Sequence, residues 1–370
     1  MRWLVRDACF SRAVIRVLAG LVAGTLLLAS HGSPASSAFA DHVIHVSVDG
    51  LHVDAVATLL QAPGDLAPNF KRLRDEGVFT DNARTDPLFG NTMPNHASEI
   101  TSRAVLGTDG HGWLINSDPD VNPPLTLHAL KGEYVAGAFD VAHDHGLMTA
   151  LYANKSKFEV FDRSFDADNG AEDVTGVDDG RDKIDVYVSS GDMDALTNAF
   201  IEDMVRERYG YALLHLREPD STGHDSGWDL TLEPLSAYLE AVRRVDAKLG
   251  QLFTMLDADP VLRARAVIVL TADHGGQLGT KTHSISRGAG WIDSGMVPFH
   301  VWGPEAGVVQ GNLYALNPRR LDPGERLPFA LTFLAPVRNA DSANLALDLL
   351  GLPPVPGSVI NAEQNLWVGQ

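Results

Sequence analysis

Cysteine is almost absent: the 370 residues include one, Cys9. No intramolecular disulfide can form, and thiol chemistry or a cysteine-ligated metal is excluded past residue 9. Basic residues are also scarce. There are 29 Lys and Arg against 48 Asp and Glu, for a formal net charge of −19. Such a chain has no surplus of positive charge for a polyphosphate backbone, so a nucleic-acid-binding surface is not expected. Small phosphate-bearing substrates remain open, because a bound cation reverses the field locally. The chain has no internal repeat, no long low-complexity tract and no Gly-x-Ser-x-Gly elbow. The missing elbow argues against a metal-independent Ser/His/Asp hydrolase. The apolar run from about Val14 to Ala29 falls short of the about 20 residues that a spanning helix needs.

Arg2, Arg6, Arg12 and Arg16 lead into that run, and a small-residue stretch ending Ser37-Ala38-Phe39-Ala40 follows it. This is the layout of a secretory signal peptide over residues 1–40, cleaved near Ala40. It implies a secreted or periplasmic protein with no stable membrane anchor. Residues 41–370 are ample for one large core. Nothing in the sequence fixes an oligomeric state.

His42–Asp49 reads as a buried strand, as do Tyr211–Leu216, Ala266–Thr271 and Val297–Trp302. Between them lie helical patterns at about Val53–Leu60, Ala67–Glu76, Leu232–Leu256 and Ala343–Leu350. Strands that are continuous apolar runs alternating with helices predict an α/β fold, a mostly parallel central sheet with helices on both faces. Residues 117–191, rich in Asp, Gly and Asn, read as a loop-rich insertion.

The polar groups that stand out lie at strand ends, where ligands collect in open α/β sheets. Asp49 closes the first strand, and Asp220 follows the Tyr211–Leu216 strand. Asp273 and His274 close the Ala266–Thr271 strand ahead of Gly275-Gly276. Asp220 and His224 are four residues apart, so one helical turn or a tight loop puts both on one side. Each fragment alone is more simply a capping Asp or a satisfied core His; their joint order is what points to a metal site. Thr92 stands in Gly90-Asn91-Thr92-Met93-Pro94-Asn95-His96, just ahead of a helix whose first turn accommodates Pro94. That position suits a helix N-cap and equally an anionic nucleophile oxygen.

Taken together, these segments resemble the alkaline phosphatase superfamily, and within it the nucleotide pyrophosphatase/phosphodiesterase (type I phosphodiesterase) family. The likeness is carried by Val46-Ser47-Val48-Asp49-Gly50-Leu51, Thr92-Met93-Pro94-Asn95-His96, Glu218-Pro219-Asp220-Ser221-Thr222-Gly223-His224 and Thr271-Ala272-Asp273-His274-Gly275-Gly276, in family order. The resemblance implies an alkaline-phosphatase-like catalytic domain over residues 41–370. It implies two zinc ions, with manganese or iron as alternatives. One would be held by Asp220, His224 and His283; the other by Asp49, Asp273, His274 and the Thr92 oxygen. His283 is favoured over His300, which sits inside a strand. Ser284 follows His283 where the family often has Gly. Asn116, in His111-Gly112-Trp113-Leu114-Ile115-Asn116, would donate its amide to a phosphate oxygen or simply shape the turn before Ser117. His96, His111, His143 and His145 read as structural. Ala150–Phe158 also looks family-like and would line the pocket.

The activity that the resemblance implies is that of a phosphoryl-transfer hydrolase with Thr92 as nucleophile, acting on a small phosphodiester or nucleotide. A phosphomonoesterase using the same ligands is the nearest alternative. An uncharged Asn116, where monoesterases of the superfamily present Arg, favours the diester. A non-catalytic binding protein that kept the fold is the alternative from another class. A sulfatase would need an oxidisable Cys or Ser at position 92.

Overall fold

The computed structural model describes residues 38–117, 125–173, 180–283, 291–325 and 334–369. These fall within one compact unit, Ser36–Gln370. The expected signal peptide lies outside the described residues apart from its last few positions.

The sheet is built around β1 (His42–Val48), all seven of whose residues are buried. Its parallel neighbours are β5 (Tyr211–Leu216) and β6 (Ala266–Thr271), also buried throughout. Burial on both faces is why these strands read as continuous apolar runs rather than alternating ones. Each polar residue inside β1 makes a side-chain hydrogen bond. The His42 ring bonds the Tyr209 carbonyl at 2.8 Å, His45 meets the Tyr211 hydroxyl at 3.0 Å, and Ser47 meets His96 at 2.9 Å. Beyond β5 lie β3 (Thr149–Ala153) and β4 (Val186–Ser189), both parallel. Beyond β6 lie the antiparallel β7 (Met296–Trp302), then β2 (Val78–Arg84) and the short β8 (Gly311–Asn312). The eight strands run β4-β3-β5-β1-β6-β7-β2-β8. The residues 117–191 that read as a loop-rich insertion therefore include two strands of the central sheet. At five and four residues, within an acidic setting, these strands carry a weak periodic signal.

Helices α1 (Val53–Gln61), α2 (Pro68–Glu76) and α3 (Thr92–Thr101) precede β3. They are followed by α4 (Leu127–Lys131), α5 (Ala138–Asp144), α6 (Glu159–Phe165), α7 (Met193–Glu207), α8 (Glu218–Ser226) and α9 (Ala237–Ala258). α9 packs against α1, α2, α7 and α8. A helix near the C-terminus, Asp341–Leu349, packs against α3, α5, β1 and β6. Helices thus cover both faces of the sheet.

α9 starts at Ala237, not near Leu232. Ser236 accepts a hydrogen bond from the Leu239 N–H and caps the helix, while Leu232 and Leu235 form an isolated bridge instead. Because β1, β5 and β6 are parallel neighbours, their carboxyl ends coincide. Asp49, α8 and Asp273-His274 leave the sheet side by side.

Candidate metal centre and nucleophile

The turn after β1 forces the first contact. Gly50 has φ +70°, and a Cβ there would come within 2.7 Å of the Asp220 backbone. Only glycine lets the two chains approach so closely. The Asp220 N–H donates to the Asp49 carbonyl at 3.0 Å, which locks the two turns together. Gly50 also donates its N–H to Asp273 Oδ1 at 3.1 Å. Its carbonyl accepts from Trp228 Nε1 at 3.1 Å and from the Tyr238 hydroxyl at 2.7 Å. The Trp228 ring closes the floor: a Cβ at Gly276 would lie 1.9 Å from it. That contact explains a glycine two residues after His274.

Asp49, Asp220 and Asp273 are buried, and each commits one oxygen to the protein. Asp49 Oδ2 meets Lys155 Nζ at 2.6 Å and His215 Nε2 at 3.2 Å. Asp220 Oδ2 accepts from Lys155 Nζ at 2.6 Å. Asp273 Oδ1 accepts from the N–H groups of Gly50 at 3.1 Å and His274 at 2.8 Å. The other oxygens, Asp49 Oδ1, Asp220 Oδ1 and Asp273 Oδ2, are buried without a hydrogen-bond partner. Orphaned carboxylate oxygens are costly unless a cation joins them.

The histidines are prepared in the complementary way. The Nδ1 atoms of His274, His283 and His224 face the carbonyls of Gly275, Gly90 and Lys281 at 2.7, 2.7 and 3.0 Å. A carbonyl only accepts, so each Nδ1 carries the proton and each Nε2 presents a lone pair. His274 Nε2 is the hub. It lies 3.3 Å from Asp273 Oδ2, 3.6 Å from Asp49 Oδ1 and 3.9 Å from Asp220 Oδ1. The His283 ring stacks on His274 with centroids 4.0 Å apart, and its centroid is 5.2 Å from that of His224.

At the carboxyl ends of β1, β5 and β6, two sets of donor atoms among the described residues converge closely enough to hold an ion: Asp49, Asp273 and His274, and Asp220, His274 and His283. The first is the set expected around Thr92. In the second, His274 stands where His224 was expected. The His224 ring is half exposed, but its Nε2 still lies 3.3 Å from Asp220 Oδ1. His300 is remote from both sets, buried in β7 and stacked on Phe79.

Thr92 is the first residue of α3; Asn91 takes the cap position. Its hydroxyl donates to His274 Nε2 at 3.3 Å. His96, one turn on, donates from Nδ1 to the Thr92 carbonyl at 2.9 Å and accepts at Nε2 from Ser47, tying α3 to β1. Asn116 uses Oδ1 to accept from the Met93 N–H at 2.9 Å. Its amide nitrogen is left as the donor, beside the helix start.

Charge follows the same division. Burial acts to raise Asp49, but Lys155 and the neighbouring histidines hold its carboxyl well below the usual range. Burial and Asp49 act to raise Asp220, yet His224, Lys155 and His274 keep it at about 2. Asp273 is pushed well up by burial and by the nearby Asp49 and Glu99 carboxyls. Burial lowers His274, and burial with the His274 ring lowers His283 to about 3, so both shifts favour the neutral imidazole.

A family model for type I phosphodiesterase / nucleotide pyrophosphatase matches residues 43–328, more than half of the chain. The chain belongs to that family. It is 27% identical over 241 residues to mouse ectonucleotide pyrophosphatase/phosphodiesterase family member 1. It is 26% identical over 249 residues to the human protein. The matches cover 63% of this chain but only 24% and 23% of those relatives. The chain therefore spans about a quarter of the length of the curated relatives it matches. Among solved structures, murine ectonucleotide pyrophosphatase/phosphodiesterase 5, in an inactive form in complex with AMP, superposes with TM-score 0.55 at 15% identity. That match covers 85% of this chain and 96% of the other. A 2-O GAG sulfatase superposes with TM-score 0.54 at 14% identity, covering 88% and 74%. At such identities the likeness establishes the alkaline-phosphatase-like fold alone.

Within this family member, sequence reasoning missed the basic and aromatic side chains around the carboxylates. Lys155 lay in a stretch read only as pocket lining, yet it bridges Asp49 and Asp220. Lys157, half-buried, donates to the Asn116 carbonyl at 3.2 Å and lies 3.5 Å from its Oδ1. His215 was hidden inside an apolar strand. The one available signal was the pair of lysines two apart just after a short strand, which places both at the carboxyl edge of the sheet.

Proposed function

We propose that the chain is a secreted, two-zinc phosphodiesterase or nucleotide pyrophosphatase that works through a phospho-threonine intermediate on Thr92. The observation that carries this reading is the meeting of Asp49, Asp273 and His274 at the Thr92 hydroxyl, on a helix N-terminus. The three orphaned carboxylate oxygens and the Nε2 lone pairs of His224, His274 and His283 fit divalent cations. Asp49, Asp273, His274 and Thr92 would hold one, and Asp220, His224 and His283 the other. Mixed carboxylate and imidazole donors suit zinc, with manganese or iron as alternatives. When bound, such ions supply Lewis-acid stabilisation of charge on the attacking and leaving oxygens.

The chain's own groups supply the positioning. The N-terminus of α3 sets the positive end of the helix dipole beside Thr92, which favours the anionic form of its oxygen. Asn116, held by the Met93 N–H, offers its amide N–H to a non-bridging phosphate oxygen. Thr92 Oγ1 attacks phosphorus and the ester oxygen leaves. Water then cleaves the new P–O bond, freeing the phosphate product and restoring threonine. The relatives' names point to nucleotides, and so does AMP in the neighbouring structure. We extend this reading to a small phosphodiester or nucleotide substrate here. Residues 1–40 are assigned as a cleaved leader and 41–370 as the catalytic domain. No helix of the described residues is long and apolar enough to cross a membrane.

Lys157 favours a second reading. Its charge beside Asn116 suits the extra negative charge of a phosphomonoester, so a monoesterase built on the same ligands is the competing function. Hydrolysis of bis-p-nitrophenyl phosphate and p-nitrophenyl phosphate, with and without zinc, decides between them. A zinc-dependent preference for the diester, lost on Thr92→Ala, is expected. Preference for the monoester moves the function to phosphatase. Zinc binding without activity on either points to a narrower substrate or a binding role.

A further inference from the structure

His215 is buried and is used by neither set of converging donor atoms. It lies in β5, paired in register with Ser47 of β1 on one side and Ala153 of β3 on the other. Its ring is boxed by aromatics: Phe158 lies against it at 4.1 Å, tilted by 33°, and His96 meets it edge-on at 5.0 Å. The backbone fixes its proton. The Asn154 N–H donates to His215 Nδ1 at 3.2 Å, so Nδ1 is the acceptor and Nε2 carries the hydrogen. Nε2 points at Asp49 Oδ2, 3.2 Å away. Asp49 Oδ1, on the opposite side of the carboxylate, is the orphaned oxygen that joins Asp273 Oδ2 and His274 Nε2.

We propose that His215 is a positioning residue for a divalent cation. Its Nε2–H pins Asp49 Oδ2 and thereby aims Asp49 Oδ1 into the cluster with Asp273 and His274. The inference rests on the two-cation reading above and adds to it a residue outside the ligand set. Lys155 holds the same Oδ2, but from a flexible stem that also serves Asp220. The imidazole is fixed by the backbone on one side and by two rings on its faces and edge, so it supplies the direction. Asn154 and His215 form a single chain, backbone N–H to ring to carboxylate, that ties the ends of β3, β5 and β1 to one ligand oxygen.

The test is zinc affinity of residues 41–370, measured by competition with a chromophoric chelator and without substrate. It compares wild type, His215→Phe and His215→Gln, with the melting temperature of each metal-free protein as control. Phenylalanine keeps the aromatic packing and removes the donor. Glutamine restores an N–H near the Nε2 position. One of two zinc sites in His215→Phe should weaken by about 10–100-fold, the size of effect typical for such outer partners, with recovery in His215→Gln. If His215→Phe does not fold, His215→Asn, whose amide is one methylene shorter than that of Gln, takes its place with the same expectation. Wild-type affinity in the Phe or Asn variant overturns the inference alone. Equal loss in the Gln variant, with its metal-free stability intact, also overturns it, because the N–H would then not be the active feature. Failure of the wild type to bind zinc, manganese or iron overturns the proposed function and this inference with it.

Discussion

Glu99 shows how far a single buried side chain can depart from its solution behaviour. It lies on α3, fully buried, and burial pushes its carboxyl up to about 8 despite hydrogen bonds that act the other way. Its Oε1 accepts from Asn339 at 3.3 Å, while its Oε2 has no hydrogen-bond partner. Because the folded value lies above the unfolded one, the folded state holds this proton more tightly. The resulting stability is complete below about pH 4.5 and is lost as pH rises towards 8, by an amount on the order of a few kcal/mol. Glu99→Gln removes the titration. In urea denaturation of the chelated protein, the variant's stability relative to wild type should increase from pH 5 to pH 8.5; a gap independent of pH sinks the idea. Lys157 carries a second expectation. A charge-assisted contact is worth about 1.5–3 kcal/mol, so Lys157→Gln should lower kcat/KM for a monoester dianion roughly tenfold or more, and for a diester less. Equal losses would place Lys157 in a purely structural role. The carboxylates and the histidines proposed as ligands were legible in the sequence because they sit at or just after strand ends in a recognisable order. Lys155, Lys157 and His215 were not, since their importance comes from where parallel strands bring them, and that register is not written locally.

At the scale of elements, caps decided boundaries that hydrophobic pattern alone left open. The strands around β1 were legible because burial on both faces demands unbroken apolar runs. α9 was legible in its middle but not at its start, which Ser236 sets. α7 was not read at all, although it has one of the clearest caps: exposed Asp192 accepts from the Asp194 and Ala195 N–H groups at 2.8 and 3.1 Å. Its pattern is diluted by charged residues on the outer face. Asp192→Ala should cost about 1 kcal/mol, the usual worth of such a cap, and leave kcat and zinc affinity unchanged. A drop in activity with unaltered stability would mean that α7 serves the site, contrary to its position.

At the scale of the whole molecule, the sheet order could not be read from the chain, because the neighbours of β1 come from more than 160 residues away in either register partner. That order nevertheless sets the energetics of the site. It drives Asp49, Asp220 and Asp273 into one buried cluster, in a chain already carrying a net charge of −19, with Lys155 bridging two of the three carboxylates. Mutual repulsion and lost hydration oppose folding there, and bound cations relieve both. The folded state should bind divalent ions far better than the unfolded chain, so stability becomes a function of metal concentration. At free zinc 100 times the dissociation constant, the gain is about 2.7 kcal/mol per site. Calorimetry of residues 41–370 should show a melting temperature several degrees lower in EDTA. Added zinc should restore it, and calcium should do so poorly because imidazole donors match it badly. A melting temperature unchanged by EDTA and by zinc would mean that the fold tolerates the three carboxylates unaided, with Asp273 protonated and Lys155 as sufficient counterion. The converging oxygens would then be a relic of the family's site, not a working one.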